Sequence, residues 1–362
     1  MPAESSQYDA GELQDPTTKQ PKKKMKMNSL KTAAAIGLTA LAISSAAAQT
    51  ASKPVGYETL NYGVGFTGLG VRLHQAPVTS GVIASADATS ITVTGVDFGS
   101  VLTADADYVL EVENAKGIVQ VVNVWAGETI TTPSDLSAEV EAGVTTFTIR
   151  PVDNLVSLFG AAGSLNVVAG NGTSDGADQI WLSDGAGGYD KYYFDNFAGP
   201  NFDQTTWVKI GTGVVDGADI NILYPDGIVM NSPAGGSVVV TGSVKLGPTE
   251  LTLLQGFTFV SSVAPAGANL VTSFGTSGSL NVAAGNGNTD GADQIWIADG
   301  AGGYDKYYFD NFAGPNFDQE SWVEIGSGFL DGSTIEIPAG FVVNSPQGGN
   351  VTAGVPSFYA TL

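Results

Sequence analysis

The chain has 362 residues, no cysteine, one histidine and a formal net charge of −22. The lack of cysteine excludes disulfide frameworks, thiolate metal sites and thiol catalysis, and the negative charge argues against nucleic acid or an anionic membrane as partner. With 43% hydrophobic residues the chain can bury a sizeable core, and its length suggests about two domains.

In chain order, residues 1–24 are polar and read as an over-extended start or leader, since Met25 or Met27 would open directly on an export signal. Residues 25–48 read as that signal. Lys22, Lys23, Lys24, Lys26 and Lys31 form a basic start, Thr32–Ile43 is apolar, and Ala46-Ala47-Ala48 gives the small-residue exit of a peptidase site. The apolar run is too short to span a bilayer comfortably. Cleavage is expected between Ala48 and Gln49, which places the protein outside the cell, on its surface or in the periplasm, with no membrane span in the mature chain. Removing the leader's six basic and four acidic residues leaves 8 basic against 32 acidic, a net charge of −24.

The remainder is repetitive. Gly163–Gly213 matches Gly278–Gly328 at 42 of 51 positions, at a constant offset of 115. The match continues in Asn154-Leu155-Val156 and Asn269-Leu270-Val271, and in Asn231-Ser232-Pro233 and Asn344-Ser345-Pro346. Gly256-Phe257-Thr258 has its counterpart far upstream, at Gly65-Phe66-Thr67. The first unit is therefore expected to be split, covering 49–80 with 151–246, with an inserted module at 81–150; the second unit covers 247–362. In the second unit only Pro265-Ala266-Gly267-Ala268 fills the place of the insert.

Within the insert, Ile91–Thr94, Tyr108–Val112 and Phe147–Ile149 alternate apolar and polar residues between turn-forming clusters. That is the signature of strands, in a length that suits a small SH3-like or OB-like β-barrel. In the second unit, Phe257–Val260, Gln294–Ile297, Tyr304–Phe309, Trp322–Ile325, Ile335–Ile337 with Phe341–Val343, and Val351–Val355 are strand candidates, linked by Asn-Gly, Asp-Gly and Gly-Gly turns. The expected fold is all-β: two homologous antiparallel units, meander- or sandwich-like, the first interrupted by the small barrel. Helices should be few and short.

The order of a Pro-Val-Gly-Tyr opening, Gly-Val-Ile, Ala-Asp-Gln-Ile-Trp, Gly-Tyr-Asp-Lys-Tyr-Tyr-Phe and Trp-Val-x-Ile-Gly resembles a family of secreted, uncharacterised repeat-containing β proteins found mainly in Verrucomicrobia-like bacteria. The resemblance covers nearly the whole mature chain. It implies export and the repeat plan only, since the family has no established activity to carry over.

Three constellations could carry chemistry. Asn171, Thr173 and Asp175, followed by Gly176, and Asn286, Asn288 and Asp290, followed by Gly291, repeat the alternate-oxygen spacing of a Ca²⁺ loop, with Asp178 and Asp293 as further carboxylates. Position 12, where a bidentate Glu belongs, is Leu182 or Ile297, so these loops read either as weak Ca²⁺ sites or as turns before a strand. No other cofactor is implied. Trp181, Tyr189, Tyr193 and Trp207, repeated as Trp296, Tyr304, Tyr308 and Trp322, are the rings a glycan-binding surface would use, or else core. On a strand, Tyr192 and Phe194 share one face and Tyr193 takes the other. Asp184 with Asp190, and Asp299 with Asp305, are spaced as a glycosidase pair or as turn carboxylates. The Gly63-x-Gly65-x-x-Gly68 pattern lacks a following helix, and His74 has no counterpart in the second unit.

The expected function is a structural or adhesive β-repeat protein of the cell exterior, acting by surface contacts on cell-surface glycans or other envelope proteins, without catalysis. The alternative is a glycan-binding module with two equivalent sites. An outer-membrane barrel fits less well, because its strands would alternate over about ten residues.

Overall fold

A computed structural model describes residues 55–199, 203–313 and 318–362. The expected leader, signal peptide and cleavage point lie outside the described residues. The fold is all-β, with three short helices at Phe98–Val101, Leu155–Phe159 and Leu270–Phe274. Among the described residues no helix is long and apolar enough to cross a membrane.

Two six-stranded antiparallel sheets share one strand order. The first runs Gly65–Leu69, Ile228–Ser232, Gln179–Ser183, Tyr189–Ala198, Asp203–Lys209, Gly213–Val214. The second runs Gly256–Ser261, Gly340–Ser345, Gln294–Ala298, Tyr304–Ala313, Asp318–Glu324, Gly328–Phe329. Gly65–Leu69 thus holds the edge position that Gly256–Ser261 holds in the second sheet, although the next strand of its own sheet lies more than a hundred residues further along the chain. Each sheet is accompanied by a two-stranded ladder, Val55–Tyr62 with Gly236–Ser243 and Thr249–Leu253 with Gly349–Ala353.

The inner faces form the two main cores. Ile180, Tyr192, Phe194, Trp207 and Met230 pack with Leu60 and Val238 of the first ladder. Ile295, Tyr307, Phe309, Trp322 and Val343 pack with Leu251 and Val351 of the second. Each short helix starts at a capping box. The Asn154 side chain accepts from the Ser157 amide while Ser157 Oγ accepts from the Asn154 amide, and Asn269 with Thr272 repeats this. One expected strand is replaced: at Ile335–Ile337 the chain makes a 3₁₀ turn, Gly332–Thr334, then a single bridge from Glu336 to Asn269. Gly332 packs against the Trp322 ring so closely that a Cβ there would lie 2.6 Å from it, as Gly217 packs on Trp207 in the first unit.

The insert does not close into a barrel. Its strands form two four-stranded sheets. One is ordered Thr79–Val82, Thr146–Pro151, Tyr108–Glu113, Ile118–Val122, and the other Ser85–Ala86, Ser90–Thr92, Thr129–Thr131, Trp125–Ala126. The chain passes from the first sheet to the second at Ile83-Ala84 and at Asn123-Val124 and returns twice, and no ladder joins the edges Thr79–Val82 and Ile118–Val122. Ile83, Ile91, Phe98, Leu110 and Phe147 fill the space between.

The insert is tied into the first unit. Val109 belongs to that unit's core, with Val119 and Val121 packed against it. Beside them Arg150 Nε pairs with Glu111 Oε1 at 2.9 Å, both side chains 2% exposed. Arg150 Nη1 also donates to the Gln75 carbonyl and to Ser243 Oγ, and the Tyr224 hydroxyl donates to Glu111. His74 packs on Tyr224 at 4.0 Å between ring centres, and among the described residues neither ring nitrogen has a hydrogen-bond partner.

The two sheets meet through glycines. The half-buried Phe259 ring occupies space that a Cβ on Gly68, Gly227 or Gly340 would fill, coming within 1.9 Å at Gly227. Gly227 N donates to Phe259 O at 3.1 Å and Ser261 N to Pro225 O at 2.9 Å.

Two predictions follow from the insert's joint. Arg150→Met strands the Glu111 carboxylate in a buried site and should lower unfolding free energy by about 3–5 kcal/mol in urea titration, whereas Glu111→Leu with Arg150→Met together should lose far less, because no charge is left unpaired. Burial, with Arg150 and Lys245 nearby, holds the His74 imidazole well below its ordinary value of 6.5. The unfolded chain binds that proton first, so stability is full above pH ~6.5 and falls as the pH drops below it. His74→Phe should abolish this component. Denaturation curves of the two proteins between pH ~7.5 and ~5 would then diverge in slope; parallel curves would contradict the assignment.

Candidate functional site

Directly opposed residues of neighbouring strands share a face, so the pairings define the outer face of each sheet. In the first sheet Phe66 opposes Asn231, which opposes Gln179, and Trp181 opposes both Val229 and Lys191. Tyr189 opposes Ser183. The second sheet presents Phe257, Asn344, Gln294, Trp296, Val342, Lys306 and Tyr304 in the same places. No carboxylate falls at these positions in either sheet.

Part of this outer face is covered. The segment from Gly170 to Asp178 lies over Tyr193, Asp195 and Phe197. A Cβ at Gly170 would come within 2.8 Å of the Tyr193 ring and one at Gly172 within 3.0 Å of Phe197, while Gly172 N donates to Asp195 Oδ1 at 2.7 Å. Tyr193 is thereby buried with Ala177 and Val208, and Tyr308 with Ala292 and Val323.

The rest is open. Phe66 meets Trp181 edge-on at 4.9 Å, and Trp181 meets Tyr189 at 6.1 Å. Phe257, Trp296 and Tyr304 repeat this at 4.8 and 5.9 Å. Phe66 is 65% exposed and Phe257 59%. Lys191 Nζ stands 3.9 Å above the Trp181 ring and Lys306 Nζ 4.0 Å above Trp296, a cation–π geometry. Among the described residues the other basic side chains are engaged otherwise. Arg72, Lys116, Arg150 and Lys209 are in ion pairs, and Lys245 donates to the Gly247 and Pro248 carbonyls. Trp181 Nε1 donates to Gln179 Oε1 and Trp296 Nε1 to Gln294 Oε1, which fixes both indoles.

Of the aromatic residues singled out in the sequence, Trp181, Tyr189, Trp296 and Tyr304 stand on these strips. Tyr193 and Tyr308 lie under the covering loops. Trp207 and Trp322 face inward, each 1% exposed, and donate to the Gly160 and Gly275 carbonyls. Phe66, Phe257, Lys191 and Lys306 were missed. Their signal was present, because each lies in a segment that recurs.

In the acidic loops, Asn171, Thr173 and Asp175 sit on the exposed turn while Asp178 turns inward. It accepts from the Tyr62 hydroxyl at 2.9 Å, the Val168 amide at 2.8 Å and Ser232 Oγ. Asp293 is likewise buried and accepts from the Ala283 amide, while Asn286, Asn288 and Asp290 stay on the turn. Thr173 Oγ1 and Asn288 Oδ1 accept from the amides of Asp175 and Asp290. Among the described residues no three His, Asp or Glu side chains group closely enough to hold a metal ion.

Three of the four paired carboxylates are engaged elsewhere, and the second copy has Glu324 where Lys209 pairs with Asp190 in the first. The amides of Ala186 and Gly188 hold Asp184 below the usual carboxylate range, and those of Gly303 and Ala301 do the same for Asp299. Asp190 pairs with Lys209 at 2.6 Å. In the Gly63-x-Gly65-x-x-Gly68 pattern, Gly63 lies in the short link between Val55–Tyr62 and Gly65–Leu69, strands of different sheets, and Gly65 and Gly68 lie in the second of them.

No family model, curated protein or solved structure matches the chain.

With Asp178 and Asp293 committed inward, Ca²⁺ and Mg²⁺ at matched ionic strength should raise the melting temperature equally by screening the acidic surface. Asp175→Ala with Asp290→Ala should leave both shifts unchanged. A larger Ca²⁺ shift that the double variant removes would instead establish these loops as calcium sites.

Proposed function

We propose that this chain is a non-catalytic contact protein of the cell exterior or envelope, a structural or adhesive β-repeat protein whose contact surfaces are the two aromatic strips. The observation that carries the reading is duplication. The same carboxylate-free set of rings, amides and one lysine stands on the open part of both sheets, in a chain with more than twice as many acids as bases. Exposed aromatic groups of this kind are a binding feature rather than a packing one. A single catalytic centre would have no use for two matched surfaces. The chemical resources of the chain point the same way: the one histidine is buried, and the turn carboxylates are held ionised by backbone amides. Export rests on the basic and apolar leader.

The reading is tested by co-sedimentation of the secreted chain with isolated cell-envelope fractions. The expected result is retention of the wild type and at least a tenfold loss for Phe66→Ser with Phe257→Ser, two exposed edge-strand positions whose replacement should leave the melting temperature within a few degrees. Undiminished retention of the double variant would contradict the reading.

A further inference from the structure

Where the insert meets the second unit, the backbones touch. Glu250 N donates to Gly117 O at 3.0 Å, and a Cβ on Gly117 would come within 1.9 Å of the Pro248 carbonyl oxygen. Beside that contact an open cleft of about 550 Å³ separates two walls. One wall is Ile118–Val122 with the segment 133–139 of the insert, and the other is the ladder of Thr249–Leu253 with Gly349–Ala353. The volume is that of a small-molecule site. No residue of the aromatic strips lines it, so binding here and retention through the strips are independent.

Asp135, Glu139 and Glu250 face the cleft together with one ammonium, Lys116, which leaves its lining with a net charge of −2. Lys116 Nζ donates to Glu139 Oε1 at 2.5 Å, and Asn350 Nδ2 donates to Glu250 Oε1 at 3.0 Å. Burial, opposed by Lys116 and reinforced by Glu139, pushes the Glu250 carboxyl above the usual carboxylate range. Further along the strand from Lys116, Gln120 Nε2 donates to Ser134 Oγ, beside Asp135. The Gln120 side chain lines the cleft although the residue is only 8% exposed, and among the described residues its Oε1 has no hydrogen-bond partner. A buried acceptor without a donor is costly, and an N–H brought by a ligand would satisfy it.

We propose that this cleft binds a linear aliphatic diamine or oligoamine. One ammonium pairs with Glu250 and Glu139 at the Lys116 end. The other pairs with Asp135 and donates to Gln120 Oε1. The alkyl chain between them rests on Ile118, Pro133 and Leu136, apolar residues that a bare ion would not use. The chemistry of the lining selects this occupant. Two positive charges answer the net −2, and an anion would be repelled. A metal ion is a poorer fit, because these carboxylates do not group closely enough to hold one. A neutral sugar would find no aromatic ring in the lining and would leave its charge unanswered.

Isothermal titration of the secreted chain with cadaverine and spermidine, at fixed ionic strength, tests the proposal against n-pentylamine and Mg²⁺. Cadaverine should bind at one site, and n-pentylamine, with the same carbon chain and a single ammonium, at least about tenfold more weakly. Glu250→Gln, which keeps an acceptor for Asn350, and Asp135→Asn should each weaken cadaverine by about fivefold or more. Gln120→Met leaves the charge unchanged and should still weaken it, whereas Asp219→Asn, at an exposed carboxylate of the first unit, should not.

Equal affinity for cadaverine and n-pentylamine would reduce the effect to the general attraction of cations to an acidic chain and overturn the proposal. Cadaverine binding unchanged in both Glu250→Gln and Asp135→Asn would do the same, as would the absence of amine binding at millimolar concentration. Binding of Mg²⁺ that these two variants remove, without amine binding, would give the cleft to a metal ion and likewise overturn it.

Discussion

Successive residues on a β-strand point to opposite faces, and nearly everything in this molecule follows from how aromatic residues meet that rule. In Tyr189–Ala198, Tyr192 and Phe194 enter the core while Tyr189, Lys191, Tyr193, Asp195 and Phe197 face the other way. In Gln179–Ser183, Ile180 is fully buried and Trp181 is not. A slip of one residue in either pairing would turn Trp181 inward and expose Ile180. The inner face is closed by the ladder of Val55–Tyr62 with Gly236–Ser243. The outer face is closed only where the Gly170–Asp178 segment reaches, and Phe66, Trp181 and Tyr189 are what remains uncovered.

The second determinant is the joint between the sheets. Gly227 and Gly340 hold corresponding positions in the two units, while the other pair of equivalents is unlike, Gly68 in one and Phe259 in the other. One ring therefore fills a contact that two could not share, and the backbones approach closely around it. The same asymmetry runs through the rest of the first unit. Its chain detours through the insert, and the detour is anchored by the buried Arg150–Glu111 pair instead of the four residues that suffice in the second unit. At the joint, Tyr189 of the first strip and Phe257 of the second line one small cleft.

Much of this was legible in the sequence. The constant offset between the copies, the Gly-Phe-Thr triplet displaced upstream and the alternation of the strands define two β-units and an interruption. The short helices were expected to be rare, and they are. What escaped were features set by long-range packing. Nothing local to Asp178 says that its carboxylate turns inward to Tyr62 and Ser232 rather than outward with Asp175. Nothing local to Trp207 separates it from Trp181, since both are tryptophans in strands and only the pairing register assigns them opposite faces. The open sheets of the insert, in place of a barrel, are set by which strands pair across it, and no short motif marks that. Phe66 was in view as part of a repeat, but its exposure depends on being an edge strand, which is a property of the sheet.

The account's central claim is that one aromatic set faces outward on both sheets while its neighbours are buried. Hydroxyl-radical footprinting read residue by residue by mass spectrometry tests it most directly, with and without the envelope fraction. The account predicts rapid oxidation of Phe66, Trp181, Tyr189, Phe257, Trp296 and Tyr304, and protection of all six when the envelope material is present. Trp207, Trp322, Tyr193 and Tyr308 should stay unreactive throughout. Oxidation of the latter four at rates like the first six, or an outward set that the envelope material leaves unprotected, would contradict it.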